Sequence, residues 1–226
     1  IESAGNTMIN GPIQGGLFKE LRTLSAQKMA KHDFSIHPIG GIVPVMEKHM
    51  YKDYAKIMLS SLPYLPPNRP VHMFGCGHPM LFPMSIALGA DLFDSAAYAL
   101  FAKDGRLLAP WGTEKLVNLV DWPVTMPCIA YTSPEEVRNL DPAEQVKVLA
   151  RYNLEVTLTE LSRCKQAIRD GTIWRLAEKR SHQHPALREA FLWITTSPNR
   201  AGLAVIDLEE LVIKDSAAAR ARDCIL

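Results

Sequence analysis

Residues 70–89 read PVHMFGCGHPMLFPMSIALG and set the pattern for the first half of the chain. A short apolar run ends in a Gly-Cys-Gly turn, and a longer apolar stretch with helical spacing follows. This order predicts a buried β-strand, a tight turn and a helix.

The same order recurs on both sides of this segment. NTMINGPI (6–13) leads through QGG into LFKELRTLSAQKMAKH (17–32), in which Leu17, Leu21, Leu24 and Met29 fall roughly on one helix face. FSIHPI (34–39) leads through GGIVP into YKDYAKIMLSSL (51–62), and ADLF (90–93) leads into Asp94. Strands that alternate with helices at this spacing predict an α/β fold with a parallel sheet and right-handed crossovers.

Composition limits the class of protein. The chain has 226 residues, 47% hydrophobic and 22% charged, with a formal charge of +1, which predicts a globular protein with a substantial core. No apolar run approaches the ~20 residues of a membrane span, and the first residues lack the order of a signal peptide. The four cysteines, Cys76, Cys128, Cys164 and Cys224, have no paired spacing. We therefore expect a reducing, cytoplasmic setting without membrane contact.

Glycine-containing turns fall directly after the first three predicted strands. They are Gln14-Gly15-Gly16, Gly40-Gly41 and Gly75-Cys76-Gly77, and Asp94 holds the same position in the fourth unit. Parallel α/β folds gather their ligands at this edge of the sheet, so one site could use all four turns. The alternative is that glycine only permits tight turns with positive φ.

Asp94 lies in LFDSAAYAL (92–100), between an apolar run and a predicted helix. Asp and Ser are preferred helix N-caps, so Asp94 either caps this helix or presents its carboxylate to a substrate. The local sequence leaves both alternatives open.

Four ordered segments carry a family resemblance: GPIQGGLFKELR (11–22), IGGIVPVME (39–47), PVHMFGCGHPM (70–80) and GADLFDSAAYALFAKDGRLLAPWGT (89–113). They resemble consecutive motifs of the archaeal tRNA-guanine transglycosylases, the archaeosine branch of that family, from about residue 8 to about residue 190. The resemblance implies a (β/α)8 barrel of the TIM type, to which this chain supplies about the last four βα units. It also implies three regions: barrel at 1–120, a degenerate zinc-type helical subdomain at 121–190, and a tail of unassigned role at 191–226.

The resemblance implies an enzyme that exchanges a guanine in the tRNA D-arm for 7-cyano-7-deazaguanine (preQ0), in archaeosine biosynthesis. Asp94 resembles the family's nucleophile, which forms a covalent ribosyl ester, as in retaining glycosidases. The residues that match the base-binding positions are Gln14, Gly15, Gly40, Gly41, Ile42, Val43 and Phe74.

The expected partners are tRNA, the 7-deazaguanine base, and either further copies of the chain or a partner chain that completes the barrel. A closed barrel needs about eight strands, and no segment resembles the family's second catalytic aspartate in its Ser-Gly-Gly motif. The chain is therefore expected to be a fragment, one piece of a split enzyme, or a protein completed by a partner. The alternative function is a non-catalytic relative that binds tRNA or scaffolds an active subunit.

Relatives in the family hold a structural zinc with three cysteines and a histidine. Here the matching positions are Val124, Met126, Ile129 and Tyr152, with Cys128 one place away. We therefore expect no zinc, no other cofactor, and a subdomain held by packing.

The second half of the chain predicts helices. SPEEVRNL (133–140) has the order of a helix start, and Gly171 and Pro185 are expected to break the amphipathic stretch that follows. Residues 161–190 hold seven Lys or Arg against three acids, Asp170, Glu178 and Glu189, which favours either contact with tRNA phosphate or a solvated helix face. The cations are Arg163, Lys165, Arg169, Arg175, Lys179, Arg180 and Arg188.

Overall fold

The computed structural model describes residue 5 and residues 7–196. Its centre is a parallel sheet in the order β1-β2-β3, in which β1 is His37–Ile39, β2 is Val71–Met73 and β3 is Leu92–Phe93. Residues 10–13 extend the sheet beside β1 through the parallel bridges Asn10–Ile36 and Ile13–Ile39. The predicted α/β class is confirmed.

Each of the four extended segments leads through a turn into a helix, as the repeated order predicts. Short 3₁₀ turns lie in the connections between these elements, at Leu62–Tyr64, Pro79–Leu81 and Leu116–Asn118. The helices of this half are α1 (Lys19–Met29), α2 (Val43–Glu47), α3 (Tyr51–Ser61), α4 (Phe82–Leu88) and α5 (Ala97–Lys103).

An antiparallel hairpin joins this half to a helical region. Its strands are β4 (Arg106–Ala109) and β5 (Gly112–Lys115), and the helices after it are α6 (Pro134–Arg138), α7 (Pro142–Arg169), α8 (Ile173–Ser181) and α9 (Pro185–Thr196). The predicted breaks are confirmed, because Gly171 takes a φ of +65° between α7 and α8 and Pro185 begins α9. Ser133 caps α6 by accepting a hydrogen bond from the amide of Glu136.

Two hydrophobic clusters hold these elements together, and α7 contributes to both. The first includes Met73 of the sheet and Phe82 of α4, and Cys164 joins it from the C-terminal part of α7. The second includes Leu107 of the hairpin and Tyr152 of the N-terminal half of α7. The boundaries expected at residues 120 and 190 stay predictions, and most of the expected tail, with Cys224, lies outside the described residues.

Buried polar side chains fix the position of α7. The side-chain oxygen of Asn153 accepts a hydrogen bond from the Leu108 amide at 2.6 Å, and its nitrogen donates to the carbonyls of Tyr98 and Arg106 at 3.0 and 3.1 Å. About two turns of helix further on, the fully buried carboxylate of Glu160 binds Arg180 through two hydrogen bonds of 2.6 and 2.9 Å. Because these groups are satisfied only in one register, they specify how α7 packs against the hairpin and α8.

Within the described residues, the helices are all too short or too polar to span a bilayer. Cys76, Cys128 and Cys164 are free thiols.

The ion pair between Glu160 and Arg180 gives a stability prediction. We expect Glu160→Ala to lower the free energy of unfolding by about 3–5 kcal/mol, because Arg180 would keep its charge in a buried site without a carboxylate. The matched control is Glu189→Ala, which removes an exposed ion pair with Lys52 at 3.3 Å and should cost less than about 1 kcal/mol. Urea titrations followed by circular dichroism compare the variants, and equal midpoints would contradict the prediction.

Candidate functional site

The four turns that follow the extended segments lie side by side at one edge of the sheet. The Gly40 amide donates to the Ile13 carbonyl at 3.1 Å, and the Phe74 amide donates to the Ile39 carbonyl at 3.3 Å. A β-carbon on Gly40 would collide with the side-chain nitrogen of Gln14. One on Gly75 would lie 2.5 Å from a methyl group of Val43. The structure therefore brings the predicted turns into one continuous surface, and glycine is what allows their close approach.

Asp94 lies at the end of this surface and does not cap a helix. Its Oδ1 accepts hydrogen bonds from the Gly75 amide at 2.7 Å and from Nε2 of His72 at 2.8 Å. The Ala97 amide, at the start of α5, instead donates to Ser95 Oγ at 2.9 Å. The helix-cap alternative for Asp94 is therefore wrong, and its side chain remains 46% exposed.

An aromatic side chain stands beside this carboxylate. Phe74 is 55% exposed although it directly follows the buried end of β2. The ring of His72 meets it edge-on, with centroids 5.5 Å apart and planes at 73°. Gly75, with a φ of +84°, turns the chain sharply after Phe74 and aims its amide at Asp94. An exposed flat ring next to a carboxylate can stack on a planar ligand.

The other predicted binding residues divide between surface and core. Gln14, Gly41 and Val43 are exposed, whereas Gly40 is buried. Ile42 is fully buried and its side chain belongs to the first hydrophobic cluster, so only its backbone could line a pocket. Gly15 lies against the N-terminal part of α1, where a β-carbon would be 2.7 Å from the Arg22 amide nitrogen.

The Arg22 side chain links the first two turns through hydrogen bonds to their main-chain carbonyls. Its Nη1 donates to the carbonyls of Ile13 and Gly40 at 3.1 and 2.8 Å, and its Nε donates to the Gly16 carbonyl at 2.9 Å. The residue is fully buried, and burial lowers the pKa of its guanidinium from the usual 12.5. Its Nη2 has no hydrogen-bond partner among the described residues. Three carbonyl dipoles thus stabilise the buried positive charge of Arg22. Buried arginines more usually pair with a carboxylate.

Arg22 and His72 are the two site residues that sequence reasoning missed. His72 precedes Phe74 by two positions, and the period of two along a strand places both on one face of the sheet, which was a usable signal. Arg22 gave no such signal, because a cation in an amphipathic helix is normally exposed.

The four positions that match the family's zinc ligands do not fit a metal ion. Val124, Met126, Ile129 and Tyr152 provide no thiolate, imidazole or carboxylate, and they pack in or against the second hydrophobic cluster. The described residues contain no group of three His, Cys, Asp or Glu side chains that could hold a metal. Burial and the neighbouring Glu155 raise the pKa of the Cys128 thiol to about 11, which keeps it protonated.

Tyr152 fills the space at these positions and bonds across it. Its hydroxyl donates to the Val124 carbonyl at 2.9 Å and accepts from the Val124 amide at 3.2 Å. Burial raises the pKa of Tyr152 to about 12, so the phenol keeps its proton. The Trp122 ring stacks on the tyrosine ring at 5.8 Å. The loop at residues 122–129 is thus tied to α7 through the Tyr152 side chain.

The basic residues of the helical region are partly paired. Arg163 and Arg180 bind Glu160, and Arg188 lies 3.6 Å from Glu178. The exposed members without an ion pair among the described residues are Lys165, Arg175 and Lys179. The cationic surface is therefore smaller than the sequence count suggests. His184, in the same helical region, caps α9 by accepting a hydrogen bond from the Ala186 amide at 3.2 Å.

Comparison with known proteins assigns the chain to a family. A family model described as queuine tRNA-ribosyltransferase matches residues 2–186. The chain belongs to this family. It is 50% identical to the tRNA-guanine(15) transglycosylase of Methanocaldococcus jannaschii over 188 aligned residues. This alignment covers 81% of this chain and 28% of that protein. The chain is 44% identical over 183 residues to the enzyme of the same name from Thermococcus kodakarensis, with 81% of this chain and 32% of the relative covered.

The chain thus spans about 30% of the length of the curated relatives it matches. The matched segment of this transglycosylase family member includes every turn of the candidate site, from Gln14 to Asp94.

The Arg22 contacts predict a specific loss of stability. We expect Arg22→Lys to lower the free energy of unfolding by about 2–4 kcal/mol, because one ammonium group cannot reach all three carbonyls. Arg69→Lys is the matched control, since Arg69 is an exposed partner of Asp33 and should change stability by less than about 1 kcal/mol. Urea unfolding measures both, and hydrogen exchange should also quicken at Gly40. An unchanged unfolding midpoint in Arg22→Lys would refute this prediction.

Proposed function

We propose that this chain carries the nucleophile and part of the base pocket of a tRNA-guanine transglycosylase that exchanges guanine for preQ0 in archaeosine biosynthesis. The observation that carries the proposal is the Asp94 carboxylate. It is half exposed, it is anchored through one oxygen by Gly75 and His72, and it stands beside an exposed aromatic ring. A carboxylate with a purely structural role at a helix start would instead bond to the helix amides.

Three groups support a base pocket next to Asp94. Phe74 offers its ring for stacking on a purine, and Gln14 offers a carboxamide that can both donate and accept hydrogen bonds. The turn from Gly40 to Val43 brings main-chain groups to the same surface, where Gly41, at a φ of +69°, is exposed. Stacking together with edge hydrogen bonds is how proteins read a base that has left its stack.

The proposed exchange has two displacements. Asp94 Oδ2 forms a bond to C1′ of the ribose while the C1′–N9 bond to guanine breaks, and the bonding electrons leave on N9. Guanine takes a proton from solvent at N9. The incoming 7-deazaguanine then attacks C1′ through its own N9, releases a proton, and returns the electron pair of the ester bond to the carboxylate. Protons and electrons therefore balance over the full exchange.

We further propose that the chain forms the last four βα units of a TIM-type barrel, completed by strands outside the described residues. Residues 10–13 form one edge of the sheet. Next to this edge, the outer surface of α1 and the turn before it exposes Leu17, Phe18, Leu21 and Leu24, each 47–65% accessible. Apolar side chains at an uncovered sheet edge support packing against further barrel elements, from the same polypeptide, a second copy or a partner chain.

For tRNA, we propose that Lys165, Arg175 and Lys179 contribute phosphate contacts. They are exposed and carry no ion pair among the described residues, so their charges are available to a polyanion. The relatives' names specify tRNA as their substrate.

The nucleophile assignment is tested by Asp94→Asn in a chimera in which residues 8–186 replace the matching segment of the M. jannaschii relative. We expect incorporation of radiolabelled guanine into tRNA to fall at least about a thousandfold, because the amide cannot form the ribosyl ester. Asp104→Asn, which changes an exposed carboxylate at the end of α5, is the matched control and should stay within about twofold of the parent.

Two results would contradict the assignment. One is an Asp94→Asn variant that exchanges as fast as the parent. The other is a parent chimera that binds tRNA without exchange, which would favour the non-catalytic alternative.

We also propose that the helical subdomain needs no zinc, because Tyr152 makes the cross-connection. Tyr152→Phe removes both hydrogen bonds to Val124 and should lower the free energy of unfolding by about 1–3 kcal/mol. Tyr64→Phe is the control, because Tyr64 is 41% exposed and should change stability by less than about 0.5 kcal/mol. EDTA should leave the Tm of the unmodified chain unchanged, whereas a chelator-induced drop of several degrees would refute metal independence.

A further inference from the structure

His72 is an unassigned neighbour of the proposed nucleophile. It lies in the middle of β2, with its side chain only 17% exposed, and its Nε2 is 2.8 Å from Asp94 Oδ1. An ionised carboxylate can only accept hydrogen bonds, so the imidazole donates from Nε2. The proton of the neutral ring is therefore on Nε2 in this arrangement.

The two donors on Asp94 converge on the same oxygen atom. Gly75 N and His72 Nε2 both bond to Oδ1, and no described residue donates to Oδ2. Two bonds from different elements, one from the β2 side chain and one from the turn after it, oppose rotation of the carboxylate. Oδ1 is thus occupied and, in a side chain that is 46% exposed, this leaves Oδ2 as the oxygen available to a ligand.

From this geometry we infer that His72 is a positioning residue for the proposed exchange: it fixes the Asp94 carboxylate with Oδ2 as the attacking atom. The inference rests on the proposed function of Asp94. Once the ester has formed, Oδ1 becomes its carbonyl oxygen and still accepts from His72 and Gly75. As the ester breaks, negative charge returns to the carboxylate, and both donors are already in place to stabilise it.

The ring of Phe74 also contacts the ring of His72. The edge-on contact between the two rings limits the orientations of the imidazole, while the histidine in turn faces the carboxylate. A positioning residue has to be held by its own neighbours, and here the proposed stacking ring performs that task. The alternative is that His72 only packs against Phe74, and the experiment must separate the two roles.

The test compares His72→Leu with His72→Gln in the same chimera. Leucine has no donor, so we expect kcat for guanine exchange to fall about 10- to 100-fold, the rate equivalent of one hydrogen bond to a charged group. KM for tRNA should stay within about twofold. Glutamine places an amide donor at a comparable distance from the backbone, and it should restore kcat to within about fivefold of the parent.

His32→Leu is the matched control. His32 also meets a phenylalanine edge-on two residues later, Phe34, with centroids 5.8 Å apart, but it has no carboxylate partner among the described residues. It should leave kcat unchanged. If His72→Leu keeps the parental kcat, or if the leucine and glutamine variants lose activity equally, the positioning role is wrong.

A measurement that does not need activity separates this inference from the proposed function. In the full chain at neutral pH, ¹⁵N spectra of the histidine rings should assign the His72 proton to Nε2, and its resonance should shift in Asp94→Asn. A proton on Nδ1, or a resonance that ignores Asp94→Asn, would overturn the inference even if exchange is observed. Conversely, the expected spectra with no exchange by the parent chimera would overturn the proposed function and, with it, a catalytic purpose for His72.

Discussion

The guanidinium of Arg22 is the contact on which the arrangement of the site depends. It joins the carbonyls of Ile13, Gly16 and Gly40, which come from the ends of two neighbouring extended segments and the turn between sheet and helix. The side chain of Gln14 lies directly against Gly40, where a β-carbon would collide with its nitrogen. Because main-chain oxygens solvate this buried cation, Arg22 needs no carboxylate beside the turns to pair with it.

A second constraint links this edge to the rest of the molecule. The long helix α7 contributes to both hydrophobic clusters, and its buried Asn153 and Glu160 have partners only in one alignment. The sheet that carries Asp94 packs with the C-terminal end of this helix, and the hairpin and the loop at residues 122–129 pack with its N-terminal half. Site and subdomain are therefore parts of one framework, in which polar contacts select the geometry and apolar burial provides most of the stabilisation.

The parts of the structure that could be predicted are those that depend on neighbouring residues. Gly171 and Pro185 end and begin helices for reasons of backbone conformation, and Ser133 caps its helix through an amide three residues away. Asp94 could not be assigned in this way. Its neighbour Ser95 is an equally good acceptor for the first amides of α5, and Ser95 takes that role. Asp94 instead accepts from the amide of Gly75, 19 residues earlier in the chain. Arg22 was missed for the same reason, because its partners are carbonyls that only the folded sheet brings together.

The Tyr152 hydroxyl has a consequence for the conditions under which the fold persists. Two hydrogen bonds to Val124 perform a connection that thiolates and an imidazole would otherwise make through an ion. A phenol draws on no supply of trace element, and peroxide does not convert it into a disulfide or a sulfinic acid. Made of a phenol and a peptide group, this contact between the loop and the long helix itself depends on neither a metal supply nor the redox state of a thiol.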